Sequence, residues 1–291
     1  MDRLKGKFIS FLADRPKVTS VTNAEIRKDP GHLVTDYLDL ASKIGELQFR
    51  LRQHVIVFRG QGIDHRDGKG QTMLRPTMFR PDAGSKQTRI ADLETRFSRL
   101  EQAEKLLLEI FEDYRGLGKT RMRRQRLLRW AVLQHYEICP TPLLDVSQSL
   151  RIAASFATVP DATDAYLYAI AIPNISGAVT ASAEAAMQVV RLNSVCPPTA
   201  IRAHVQEGYL LGEYPEFSDA SQHKFLKPYQ VDFGRRLVGK FRFNPKTFWA
   251  AQAGFPLVSH NALYPKGDGW FDKEIAALPS KLAEEDKKEA G

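Results

Sequence analysis

Apolar positions fall mainly into helical spacing in the first half of this chain and into strand-like runs in the second. Leu33, Tyr37, Leu38, Leu40, Ala41, Ile44, Leu47 and Leu51 recur at three- and four-residue steps, predicting an amphipathic helix over residues 32–52. The strongest periodicity lies over residues 90–114. There Leu93, Phe97, Leu100, Ala103, Leu107, Leu108, Phe111 and Tyr114 alternate with charges, and Glu101 is spaced to pair with Lys105. Gly116 and Gly118 are expected to end this helix, and a second one should run through Trp130 and Leu133 to about Tyr136, stopping before Pro140. Short apolar runs predict strands at 55–58, 143–144, 166–172, 189–192, 208–211 and 237–243. Arg59-Gly60-Gln61-Gly62 reads as a turn after the first of these, residues 64–71 as a loop, and 74–80 as extended because Pro76 restricts its predecessor. Further helices are expected at 149–158, 246–253 and 270–278, the last stopped by Pro279.

Helices first and strands later predict an α+β domain, not a regular βαβ repeat. Residues 1–30 lack a clear period and contain Pro16 and Pro30, so they read as an extension packing loosely on the rest. Residues 284–291 read as a charged, frayed tail. That leaves one domain over 31–283, with a helical insert at about 90–136. At 291 residues and 43% hydrophobic, the chain can bury a substantial core. No apolar run is long enough to cross a bilayer and no convincing cleavage site follows the N-terminus, so no membrane partner and a cytoplasmic location are the expectation. Cys139 and Cys196 sit beside prolines in apolar contexts without metal-ligand spacing, which predicts buried free thiols. No metal signature, P-loop or dinucleotide fingerprint is present.

Charge changes this picture at one place. The chain carries a formal +8, and residues 115–129 hold six arginines and one lysine with no acid. Such a block attracts polyanions, and Arg121, Arg123, Arg124 and Arg126 are candidate nucleic-acid contacts. A solvated helix face explains the block equally well, since no aromatic residues are interleaved and no known nucleic-acid-binding motif accompanies it.

Three polar sites interrupt apolar elements. Arg59 ends the Val-Ile-Val-Phe run, where a guanidinium could grip a phosphate or carboxylate, or simply pair with an internal acid. His135 and Tyr136 end a helix, and Asp145 and Ser147 follow a strand; functional polar groups and satisfied core groups both fit, with Asp145 also able to cap the next helix. Polar residues 202–207 lead into another strand and fit an ordinary strand edge as well as a site.

The order of these elements resembles the FRG domain family. Phe58-Arg59-Gly60 matches its naming tripeptide and is followed by Gln61; Leu74-Arg75-Pro76-Thr77-Met78-Phe79-Arg80 resembles its Leu-x-Pro-Ser-x-x-Arg element. Gln134-His135-Tyr136, Pro140-Thr141, Leu143-Leu144-Asp145 and the Ala153/Phe156-Ala157 pattern resemble the central QHYG-x-PTRLLDWT…A…FA core. Arg202 with Gln206-Glu207-Gly208 is similar to an R…QQG strand, and Ala262-Leu263-Tyr264-Pro265 through Gly269 to a closing LFPDLDG. The likeness spans about residues 55–278. Glu137 stands where the family has Gly, Pro142 where it has Arg, and Val146-Ser147 where it has Trp-Thr; the last change keeps a hydroxyl.

The resemblance implies an ADP-ribosyltransferase-like split β-sheet core with a helical insertion and flanking helices. It implies NAD as the substrate, and transfer of ADP-ribose to a macromolecule or hydrolysis of NAD. Arg59 would bind the pyrophosphate or the nicotinamide-side ribose, Ser147 would support that ribose, and Glu207 or Gln206 would reach its 2′-hydroxyl. Gln61, His135, Tyr136 and Asp145 would complete the pocket, and a carboxylate such as Glu207 could stabilise positive charge at the anomeric carbon. A bacterial toxin or antiviral defence effector, with a protein target or antitoxin as partner, is one biological setting. A non-enzymatic module that binds nucleic acid or another anion is the alternative.

Overall fold

A computed structural model describes residues 1–82, 85, 87–114, 118–159, 162–196, 200–250, 254–265 and 270–289. The chain begins with a hairpin of β1 (Lys7–Leu12) and β2 (Arg15–Thr22), then α1 (Asn23–Lys28), β3 (His32–Leu33), α2 (Tyr37–Arg50) and β4 (His54–Gln61). Three helices follow, α3 (Ile90–Asp113), α4 (Lys119–Arg124) and α5 (Arg126–His135). Next come β5 (Leu144–Ser147), α6 (Leu150–Ala157), β6 (Ala165–Pro173), β7 (Val179–Ser182), β8 (Met187–Arg191), α7 (Leu192–Val195), α8 (Ile201–Val205) and β9 (Gly208–Glu213). β10 (Leu237–Phe243), α9 (Pro245–Ala250), α10 (His260–Leu263) and α11 (Trp270–Glu289) complete an α+β fold.

Eight strands form one sheet in the order β3-β10-β6-β4-β5-β9-β8-β7, parallel at β3–β10 and antiparallel elsewhere. Its two halves barely meet. β4 pairs with β6 along its whole length, and β5 with β9 along its whole length, yet β4 and β5 share only Phe58 opposite Ser147. Strand alternation divides the core in two. Ile56 and Phe58, with Leu167, Ala169 and Ala171, face Leu40, Ile44, Ala153, Ala157 and Phe248 of α2, α6 and α9. Val57, Tyr168, Ile170 and Ile172 face the other way, toward Leu100, Trp130, Leu133 and Ile275 of α3, α5 and α11.

Several expectations need correction. Residues 1–30 are not a loose extension: β1, β2 and α1 pack on the sheet, Val21 and Ile26 are buried, and Ser10 Oγ donates to Val238 O at 2.6 Å. The helix expected from residue 32 starts at Tyr37, where Asp36 caps it by accepting from Asp39 N at 2.9 Å, and Leu33 belongs to β3. Residues 59–61 continue β4 instead of turning. Residues 77–79 form a short 3₁₀ turn, not extended chain. Glu101 pairs with Arg126 at 3.5 Å. The helix expected up to residue 136 is broken at Gln125 into α4 and α5. Pro279 does not stop α11, and residues 284–289 continue it. Gly116, the end of the helix expected at 246–253, and Gly267-Asp268-Gly269 lie outside the described residues.

Candidate functional site

The parting of β4 from β5 opens a cavity of about 260 Å³ through the sheet. Phe58, Arg59 and Gly60 form one wall and Asp145, Val146 and Ser147 the opposite wall; α5 contributes Gln134 and His135, α6 Ala153 and Phe156. Gly60 faces α6 so closely that a Cβ there would stand 1.8 Å from Ala153 O, so glycine serves close approach of helix to strand and not a turn. Arg59 spans the missing ladder. Its Nη1 donates to Asp145 O at 2.6 Å, while its Nε is buried without a partner. Burial holds the guanidinium below its ordinary pKa, with Asp145 opposing that shift.

The Asp145 carboxylate is oriented by a relay. Thr141 Oγ1 donates to Gln134 Oε1 at 2.7 Å, which leaves Gln134 Nε2 directed at Asp145 Oδ2 at 2.5 Å. Asp145 lies on β5 and does not cap a helix; Ser149 caps α6. Burial raises its pKa, and Arg59 and the Gln134 hydrogen bond counteract part of that rise. His135 is 2% exposed, its Nε2 has no partner, and burial together with Arg202 pushes its pKa down to about 3. It is therefore a neutral imidazole near pH 7. Arg80 is lowered to about 10, by burial and then by the nearby Arg59.

Helix α5 ends in a motif that normally takes glycine. Ile138 N donates to Leu133 O at 2.9 Å and Glu137 N to Gln134 O at 3.0 Å, with Glu137 in the left-handed region at φ 57°. Glu137 nevertheless lines the cavity, where its carboxylate accepts from Arg202 Nη2 at 3.0 Å. Arg202 lies over the Tyr264 ring at 4.4 Å and keeps a buried, unpartnered Nε.

The structure thus brings Arg59, His135, Asp145, Ser147 and Gln206 to one cavity and leaves Gln61, Tyr136 and Glu207 off its lining. Ser147 Oγ donates to Gln206 O at 2.9 Å and accepts from Ser149 N at 3.0 Å, so it ties β5 to the turn before β9. Gln206 is buried and its Nε2 donates to Leu263 O at 2.8 Å. Glu207 is exposed: it adopts φ 44° immediately after Gln206, and the turn separates two consecutive side chains. Tyr136 is anchored away from the gap, its hydroxyl 3.2 Å from Asp272 Oδ1 and its ring edge-on to Phe271. Gln61 is half-buried beyond Arg59 on β4, with Oε1 unpartnered.

The basic block is largely neutralised by acids of α3. Arg123 pairs with Glu112, Arg126 with Glu101 and Glu104, and Arg129 with Glu104. Arg121 and Arg124 are exposed, and Arg115 lies outside the described residues. Cys139 and Cys196 are buried free thiols, both pushed up to about 12 by burial and therefore unreactive as thiolates. No group of three or more metal-ligating side chains, and no helix long and apolar enough to cross a membrane, occurs among the described residues.

Glu137, Phe156 and Tyr264 are cavity residues that residue-type reasoning passed over, although each stood inside a matched motif. No curated protein and no solved structure matches the chain. A family model described as the FRG domain matches residues 54–165, from the start of β4 to the start of β6. That segment carries both facing walls of the gap, the α5 relay and α6, and over these residues the chain carries an FRG domain.

Proposed function

We propose that the gap between β4 and β5 receives the nicotinamide-ribose half of NAD, and that the protein transfers ADP-ribose to a macromolecule or hydrolyses NAD. One observation carries this reading: Arg59 Nε, Arg202 Nε and His135 Nε2 are buried, lack protein partners and belong to residues lining a single cavity. Buried nitrogens are seldom left unpaired, and two guanidinium groups favour an anionic oxygen ligand. The cavity volume suits one mononucleotide half, and the Phe156 and Tyr264 rings offer surfaces for flat groups. NAD would supply a glycosidic bond whose electrons leave with nicotinamide, while an acceptor or water joins the ribose carbon and gives up a proton. Arg59 would hold phosphate or ribose oxygens, Ser147 would keep β5 and the Gln206 turn in register, and Glu137 or Asp145 would face developing positive charge. An arginine on a central strand of a parted sheet, with a serine across the gap, is similar to the arrangement in ADP-ribosyltransferases.

One observation favours a second reading, in which the cavity binds an anion without turnover. The late residue inside the cavity is Gln206, whose amide is engaged by Leu263 O, while the carboxylate of Glu207 is outside. Incubating the protein with labelled NAD, with and without nucleic acid or cell extract, separates the two. Transfer or nicotinamide release lost in Arg59→Ala supports the enzyme; saturable NAD binding without turnover supports the module; neither binding nor turnover refutes both. An effector role predicts slower bacterial growth on induction of the wild type than of Arg59→Ala, and equal growth counts against it.

A further inference from the structure

A second cavity, of about 1010 Å³, is lined largely by the segment that follows β4 and shares no lining residue with the first among the described residues. Arg3, Arg27, Arg66, Lys69, Arg75 and Arg235 line it, against only Asp67 and Asp232. The acids are already engaged. Asp232 accepts from Arg27 Nη2 at 2.6 Å and from Leu74 N and Gly234 N at 2.9 Å, and Asp67 accepts from Lys69 N and Gln71 N at 2.9 Å. Arg66 is engaged too, by Asp64 and by carbonyls of Lys28, Asp29 and Gly70. Arg3, Lys69, Arg75 and Arg235 form no ion pair among the described residues. The Arg75 Nε is buried without a partner, and burial holds its guanidinium below the ordinary value, with Asp232 and Asp67 opposing that shift and Arg27 and Arg235 adding to it.

Arg3, Lys69, Arg75 and Arg235 face a single carboxylate without an ion pair, that of Asp67, so the cations around this concavity outnumber the acids and repel each other unless an anion enters. We infer that this cavity binds a small molecule bearing a polyphosphate chain, with Arg75 and Arg235 as its inner contacts and Arg3 and Lys69 at its rim. A narrow chain of phosphates reaches a recessed guanidinium, whereas a nucleic-acid backbone would meet chiefly the exposed Arg3 and Lys69. Tyr229, half exposed on the same wall, is a platform for a base if the polyphosphate belongs to a nucleotide.

Calorimetric titration at about 0.15 M salt with tripolyphosphate, ATP and a single-stranded oligonucleotide tests the inference. One-to-one binding of tripolyphosphate is expected, weakened about tenfold or more by Arg75→Gln or Arg235→Gln and unchanged by Arg59→Ala. Lys69→Gln, at an exposed position, should weaken binding severalfold and serves if the inner variants do not fold. Tighter ATP binding whose excess disappears in Tyr229→Ala assigns a nucleotide; equal binding of ATP and tripolyphosphate assigns the bare chain, and either supports the site. Absence of saturable binding, binding indifferent to all three site variants, loss in Arg59→Ala, or an oligonucleotide that outcompetes both phosphates overturns it. NAD turnover does not enter this test, so the two cavities stand or fall separately.

Discussion

Gly60 is where the sequence leaves least room for change, and Gly60→Ala tests why. A methyl group there would meet Ala153 O at 1.8 Å, Ala153 C at 2.9 Å and Ala157 N at 2.8 Å, all of them backbone atoms of α6 that no rotamer change can move aside. Ordinary contact begins near 3.4 Å, so the helix or the strand must retreat by the difference. Both are fixed by buried neighbours: Ile152, Ala153, Ala154 and Ala157 on α6, and Phe58 on β4. Overpacking a close-packed interior costs about 1 to 3 kcal/mol, and partial loss of the α6 packing adds to it, giving an expected destabilisation of about 3 to 5 kcal/mol.

Gly45, exposed in the middle of α2, provides the contrast. Nothing lies within 4 Å of a Cβ built there, so Gly45→Ala should stabilise by about 0.5 to 1 kcal/mol through helix propensity alone. Urea titration followed by circular dichroism measures both. Gly60→Ala within about 0.5 kcal/mol of the wild type would refute the close-approach argument. It would also undercut the assignment of Ala153 and Phe156 to the cavity wall, because those side chains reach the gap only while α6 lies against Gly60.

Asp232→Ala should destabilise by about 3 to 5 kcal/mol in urea titration, since it leaves the buried Arg27 charge and two backbone donors uncompensated; a loss under about 1 kcal/mol would contradict this. Arg126→Ala should cost about 1 to 2 kcal/mol through lost contacts to Glu104 and Trp130, whereas Arg124→Ala, at an exposed position, should stay within about 0.5 kcal/mol. His135 has its folded pKa lowered to about 3 against an ordinary 6.5, so the unfolded chain binds the extra proton between those values and stability falls with pH below about 6.5. The slope approaches about 1.4 kcal/mol per pH unit from this group, and His135→Gln should lose that share; identical pH profiles would refute it. Glu137→Gly should relieve left-handed strain by about 1 kcal/mol in thermal unfolding while removing the Arg202 carboxylate partner; no stabilisation would argue against the strain.

Elements with one strong local pattern were legible. The expectation of 90–114 became α3 at Ile90–Asp113, because its apolar stripe and its burial coincide. Where tertiary packing outweighs local signals the reading failed. Pro279 is a helix breaker costing about 3 kcal/mol, yet Phe271, Ile275, Leu278 and Leu282 continue one buried stripe across it and hold α11 together. The β1–β2 hairpin was hidden by Ser10, a polar residue buried because it donates to Val238 O, and by Pro16 and Lys17 on a solvent-facing strand start. Gly60 looked like punctuation because glycine serves both turns and close approach; only the position of α6 distinguishes them.

The same kind of ambiguity moved the carboxylate. Chemistry favoured Glu207 over Gln206 because an acid can stabilise positive charge and an amide cannot. Adjacent residues share a face only in special backbone conformations, and here α8 ends with Gln206 in a right-handed and Glu207 in a left-handed conformation. Gln206 is turned inward, Glu207 outward. The acids lining the gap are instead Asp145, neighbour of the arginine across the parted strands, and Glu137, at a helix terminus where glycine is the easier residue. The Glu137 side chain stands at a backbone position that disfavours it, is 65% exposed, and holds Arg202 by an ion pair at 3.0 Å.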